Sequence, residues 1–289
     1  MITKSSYAKI NLYLDVLNKR DDGYHNIKSV MQSVSLCDTL TIEVFDNNYE
    51  NEIEIQCQNA TLKCDNTNLI YKACIRFLDA TKISGKKIRF KLDKKIPISA
   101  GMAGGSSNAA TALLLLNEAF DFPLTSDEIF DIGIKIGADV AFCLNGGTCL
   151  CEGIGEKLTP LKPLKDAYLV CAIDSSSVST PVAFSMLDEK FGTSCTDSAN
   201  IDGILEAIQA SDISSACTNL YNKFESVIAE KNKNIHIIKD IMISNGALGS
   251  LMSGSGPSVF GIFRNENEQK SAYFALKSRN ISAFLCKTI

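Results

Sequence analysis

Residues 97–120 read PISAGMAGGSSNAATALLLLNEAF, a loop in which Gly101, Gly104 and Gly105 run into a long apolar segment. Glycine loses more backbone entropy on folding than any other residue, so such a loop persists where bare backbone is useful. Upstream, KKIRFKLDKKIP (86–97) alternates as a strand does. Downstream, Ser106 or Ser107 is expected to cap a helix over NAATALLLLNEAF. Strand, small-residue loop and helix start together present backbone N–H groups at the positive end of a helix dipole, an arrangement suited to phosphate. Charge at such an end is worth only ~0.3–1 kcal/mol when exposed, so useful affinity requires several N–H bonds and a nearby cation. Lys94 and Lys95 stand where that cation is needed. The loop lacks the G-K-[ST] ending of a Walker A motif and the G-x-G-x-x-G spacing of a dinucleotide fold. From these residues alone, a tight helix–strand packing loop remains the competing reading.

The remainder of the chain is compatible with an α+β protein. INLYLDVLNKR (10–20) alternates, and DDGYH (21–25) turns it, with Gly23 free to adopt positive φ. TNLIYKACIRFLDATK (67–82) switches to helical period, with Leu69, Cys74, Phe77 and Leu78 on one face. TSDEIFDIGIKIG (125–137) is a second helix, capped by Thr125 or Ser126. ADVAFCLNGGTCLCEGIGEKLTPL leads through a turn to a strand, and helix-period segments follow near 181–190, 201–210, 221–230 and 233–244. The most linker-like stretch is 153–166, giving expected domains of 1–156 and 157–289.

With 289 residues and a net charge of −4, nothing favours nucleic acid or an anionic membrane as partner. The N-terminus is too polar for a signal peptide, and no apolar run approaches the roughly 20 residues of a membrane span. Eleven cysteines in a chain without a secretion signal read as reduced thiols, so a cytoplasmic location is expected. Cys149 and Cys151 form a CxC without a second pair at zinc spacing, so no metal site is expected in the protein itself. His236 has no motif around it and reads as structural.

The loop PISAGMAGGSSNAA resembles the P-x-x-x-G-L-x-x-x-S-S phosphate motif of the GHMP kinase superfamily, with Met102 in place of leucine. YAKINLYLDV and MSGSGPSVFGIF resemble that family's first and third motifs, in order. AKINL, DGYH, GGSSNAA, GADVAF and STPVAF together are similar to one branch, whose substrate carries a cytidine diphosphate. Taken with its order and its extent from about residue 5 to about 263, the match identifies the chain as a member of the family. The resemblance implies an N-terminal ATP-binding domain, a C-terminal ferredoxin-like substrate domain, and an active site in the cleft between them. The implied reaction is ATP-dependent phosphorylation of the 2-hydroxyl of a cytidine diphosphate-linked methylerythritol, with Mg2+ accompanying ATP and a monomer or weak homodimer as the working form.

The resemblance also implies roles. Asp139 is the base, Lys9 its electrostatic partner, and Asn11 the residue that orients the hydroxyl. Pro97, Ala100, Gly101, Met102, Ala103, Gly104, Gly105, Ser106 and Ser107 cradle the phosphates, and Asn68, Leu69 and Lys94 line the adenosine end. Tyr24, His25 and Phe184 take the cytosine, while Thr180, Gly254, Ser255 and Gly256 lie near the rest of the substrate. Ala100 and Ala103 occupy positions where alanine is strained if φ is positive. Each residue also has a plain structural reading: Asp139 as a cap after Gly137, DGYH as a hairpin turn, Phe184 as core. Sister kinases acting on mevalonate-type compounds, homoserine or a sugar remain the alternative, as does a nucleotide-binding protein without activity.

Overall fold

The computed structural model describes residues 1–289 except 49, 165, 175–177 and 194–198. These residues group into two compact units, and the division does not run at one point in the chain. Two long strands, β1 (Ile2–Lys19) and β2 (His25–Asp46), contribute residues to both.

The first unit contains 1–8, 37–98 and 103–145. Strand β3 (Glu52–Cys57) is parallel to β4 (Lys86–Asp93), which runs antiparallel to the later half of β2, Thr39 opposite Asp93 and Asp46 opposite Lys86. Alternation on these strands sends Leu40, Ile42, Ile88, Phe90 and Leu92 inward. Helix α1 (Leu69–Thr81) covers them with Ala73, Cys74, Phe77 and Leu78. Helix α2 (Gly104–Ala119) is apolar around most of its circumference and is correspondingly buried. Helix α3 (Ser126–Ile136) starts at Thr125, whose side chain and Glu128 form a capping box. Helix α4 (Ala138–Asn145) was not expected: ADVAFCLN is apolar at positions that fit a strand as well as a helix.

The second unit contains 9–36, 99–102 and 146–289. Strand β5 (Thr148–Gly153) pairs antiparallel with the early half of β2, and β6 (Lys157–Pro160) pairs with β5. From β7 (Tyr168–Ile173) the chain passes through α5 (Thr180–Phe191), α6 (Asp202–Ala210) and α7 (Ile213–Thr218). Then come β8 (Tyr221–Asn222), α8 (Glu225–Lys231) and α9 (Lys233–Ser244). It ends in β9 (Gly249–Met252), β10 (Ser258–Phe263), α10 (Glu266–Lys277) and β11 (Ser282–Lys287). The sheet order β11-β7-β10-β9 is that of a ferredoxin-like β-α-β-β-α-β unit, with extra helices in its first crossover. Val170, Ala172, Val259 and Phe263 pack against Ile238, Met242, Ala272 and Leu276 from α9 and α10. The helix expected over 221–230 begins later, because Tyr221 and Asn222 are drawn into parallel pairing with Tyr13 and Leu14. Among the described residues no helix is long and apolar enough to cross a membrane.

Candidate active site

The start of α2 is built for an external acceptor. Its cap is Ala103, not Ser106 or Ser107, at φ 55° and without a side-chain hydrogen bond, so the first-turn N–H groups are left to another partner. Ser107 cannot cap because it is buried and its hydroxyl pairs with Ser6 Oγ at 2.8 Å. Ser99 also has positive φ, and such strain in non-glycine residues collects at functional loops. Beneath the loop, Asp38 of β2 accepts four hydrogen bonds: from Lys95 N and Ile96 N at 2.7 Å, from Asn108 Nδ2 at 2.8 Å, and from the Lys94 ammonium. Lys94 is thus fixed at the helix start. A Cβ on Gly104 would come within 2.8 Å of its Nζ and of Ile96 Cγ2, which explains the glycine.

In the second unit the first and third glycine-rich motifs touch. Gly101, at φ +71°, lies so close to the other loop that a Cβ there would sit 2.5 Å from Ser253 O. Ser253 Oγ donates to Gly101 O at 3.2 Å and accepts from Asn11 N at 3.2 Å, while Lys9 N donates to Met102 O at 3.1 Å. Lys9 and Asn11 are both buried. Ser29 Oγ donates to Tyr13 O at 2.6 Å, so it must accept from Asn11 Nδ2, which lies 2.9 Å away. That choice turns Asn11 Oδ1 toward Lys9 Nζ, at 2.8 Å. Asn11 therefore holds the lysine as directly as it would any hydroxyl. Thr180 Oγ1 meets Ser255 Oγ at 3.0 Å, and Asn222 Nδ2 clamps Met252 O and Gly254 O at 2.7 and 2.9 Å.

Farther along α5, Phe184 lies on His25 with ring centroids 4.6 Å apart and 15° between planes, and Phe224 backs it edge-on at 5.0 Å. His25 is buried, whereas Tyr24 is 61 % exposed and its ring is open to a stacking partner. His25 Nε2 is 2.8 Å from Asp188 Oδ1, and Lys19 Nζ donates to the other oxygen at 2.7 Å. Burial alone would raise the Asp188 carboxyl, but hydrogen bonds from Lys19 and His25 outweigh it and hold it below the usual range.

The other expected residues are dispersed. Asn68 caps α1 through Ile70 N and donates to Lys63 O, so both ends of its amide serve the fold. Leu69 reaches the phosphate loop, its Cδ1 3.6 Å from where a Cβ on Gly105 would stand. Asp139 occupies the first turn of α4, half-buried. A groove of about 970 Å³ in the first unit is lined by Thr39, Ile55, Cys57, Asn59, Leu92 and Lys94, of which only Lys94 was expected at the adenosine end. Asp38, Ser29, Ser253, Asn222 and Asp188 were missed. Nothing local singles out Ser29 or Asp38, because β2 reads HNIKSVMQSVSLCDTLTIEVFD and is rich in polar residues on both sides of them.

Models of the GHMP kinases N terminal domain and of the GHMP kinases C terminal domain match residues 68–147 and 204–282. The chain is 42 % identical over 284 residues to a 4-diphosphocytidyl-2-C-methyl-D-erythritol kinase of Clostridium novyi (strain NT), covering 98 % of this chain and 99 % of that one. A crystal structure of 4-(cytidine 5'-diphospho)-2C-methyl-D-erythritol kinase superposes with a TM-score of 0.82 at 29 % identity, covering 99 % of both chains. L. major mevalonate kinase shares the fold, with a TM-score of 0.80 at 15 % identity over 100 % of this chain and 96 % of its own. With two family models in order and a near full-length relative, the chain belongs to the GHMP kinase family, in the branch of the 4-diphosphocytidyl-2-C-methyl-D-erythritol kinases.

Proposed function

We propose that the chain transfers the γ-phosphate of ATP to the 2-hydroxyl of 4-diphosphocytidyl-2-C-methyl-D-erythritol, giving the 2-phosphate and ADP, in non-mevalonate isoprenoid biosynthesis. The observation that carries this reading is the near full-length likeness to kinases of that name. In the proposed step the substrate oxygen bonds to the γ-phosphorus as the bond to the ADP oxygen breaks, and the hydroxyl proton passes to Asp139. Lys9, held by Asn11, offsets the charge on the transferring group. The open first turn of α2 receives the phosphates, with Pro97, Ala100 to Ser107 and Lys94 around it, and adenosine lies toward Asn68, Leu69 and the nearby groove.

At the other end, Tyr24 stacks on the cytosine, with Phe184 supporting from below, and His25 reads the edge of the base. Thr180 begins α5 at the Ser255 loop, and Asp188 lies about 12 Å along the helix axis, a reach suited to a substrate with a diphosphate between its two ends. Magnesium would be held chiefly by the ATP phosphates and water, its usual preference over dedicated protein cages, and would offset phosphate charge there. We take the working division as 1–156 for ATP and 157–289 for substrate, and the working form as a cytoplasmic monomer or weak homodimer.

The test is ADP release with the cytidylated substrate, mevalonate and homoserine supplied separately. Turnover is expected with the first alone, and Asp139→Asn is expected to lose ~10²–10⁴ in rate while ATP binding persists. Turnover with only an uncytidylated alcohol would overturn the substrate, and wild-type turnover in the variant would remove Asp139 as the base.

A further inference from the structure

Helix α5 grips one imidazole with two side chains a turn apart. Phe184 covers the face of His25, and Asp188, four residues on, takes its edge. The Asp188 carboxylate, bound on its other oxygen by Lys19, has no proton to give, so His25 Nε2 carries the hydrogen they share. In the neutral ring the lone pair is then on Nδ1, which meets no hydrogen-bond partner among the described residues. Which nitrogen of a histidine is an acceptor is set by the bond the other one makes.

We propose that Asp188 is a positioning residue that fixes His25 as the Nε2–H tautomer, so that Nδ1 faces the substrate as an acceptor and selects a base with an exocyclic amine over one with a carbonyl there. Cytosine offers the amine and uracil the carbonyl. A lone pair facing a carbonyl oxygen gains no hydrogen bond and repels it, so a site of this kind rejects the wrong base more strongly than apolar fit can. The assignment rests on the cytidylated substrate proposed for this enzyme.

Two measurements test it. The chain has two histidines, so the nitrogen spectrum of histidine-labelled protein contains two rings, and His25→Ala assigns them. His25 is expected as the Nε2–H tautomer at neutral pH in the wild type and as a mixture in Asp188→Ala. An Nδ1–H tautomer in the wild type overturns the proposal. The second measurement is ADP release with cytidine diphosphate- and uridine diphosphate-linked methylerythritol. Asp188→Ala is expected to reduce the preference for the cytidylated compound roughly tenfold, mainly through KM, and Asp188→Asn to reduce it at least as far, since Lys19 claims the single amide oxygen and the Nδ2 hydrogens then oppose Nε2–H. A merely structural carboxylate would lower both substrates together in either variant and leave the preference between them unchanged. An unchanged preference in Asp188→Ala, with the tautomer lost, overturns the selection. An unchanged preference in His25→Ala instead removes His25 as the reader of the base, while the tautomer measurement still stands on its own.

Discussion

Asp38 and Asp15 are both closed off from solvent, each on a long strand, and their surroundings are opposite. Asp38 accepts four hydrogen bonds, one from a lysine whose side chain is 3 % exposed. Among the described residues neither oxygen of Asp15 has a well-formed hydrogen bond: Lys223 Nζ approaches only to 3.9 Å, and the backbone at Val16 and Ala199 pulls more weakly still. Burying a carboxylate costs several kcal/mol unless donors replace the lost water, so burial alone does not say whether a charge supports the fold. At Asp38 donors from the chain after β4 and from α2 converge, and the carboxylate joins them under the phosphate loop. At Asp15 the same chemical group has been buried with far weaker compensation.

The largest effect is expected from Asp38→Ala. It strands the Lys94 ammonium, the Lys95 and Ile96 N–H groups and one Asn108 hydrogen, and should cost about 3–5 kcal/mol in urea unfolding. ATP affinity should fall with it, because the start of α2 loses its support. A loss within the error of the unfolding curve would erase the contrast between the two aspartates.

Lys94→Met should cost less, about 1.5–3 kcal/mol, because Asp38 keeps three donors and the methionine fills the lysine's apolar path. Parallel urea titrations of the two variants separate the contributions. Equal damage would mean that the ammonium carries the cluster and the backbone donors do not.

Much of the fold was legible because it is local. The strand read over 86–97 is present as 86–93 and the helix read over 67–82 as 69–81, whereas the helix read over 108–120 starts four residues earlier, at Gly104; Gly101 and Gly104 both have close neighbours that leave no room for a Cβ. What was missed depends on partners far away in the chain. Asp38 meets Lys94 across 56 residues, His25 meets Asp188 across 163, and Asn11 meets Ser253 across 242. No window of sequence contains both members of such a pair. The lost first turn of the helix near 221 has the same origin, since strand pairing with Tyr13 overrides a local helical preference. Ala103 was flagged as a position of potential strain, and it does adopt positive φ, yet the sequence could not say that this makes it the cap.

The smallest effect should have the opposite sign. Burial raises the Asp15 carboxyl above its ordinary value, and the pull of Lys223 only partly opposes this. The native state therefore holds this proton more tightly than the unfolded chain does. Its contribution favours the fold most below the ordinary aspartate value of about 3.9 and falls as pH rises through it toward the folded value. Asp15→Asn removes that fall. The variant should match the wild type near pH 3 and exceed it at pH 7 by on the order of 1 kcal/mol, since the amide is neutral but also lacks a partner. Lys223 keeps the face of Phe191, 4.9 Å from its ammonium. Asp188, held below the usual range, contributes in the other direction, with stability present above about pH 3.9 and lost as pH falls through its folded value. The wild-type curve alone thus mixes opposing slopes, and only the difference between variant and wild type isolates Asp15. A variant less stable than the wild type at pH 7 would mean that attraction to Lys223 exceeds the cost of burial, and Asp15 would then be a second supporting charge of the same kind as Asp38.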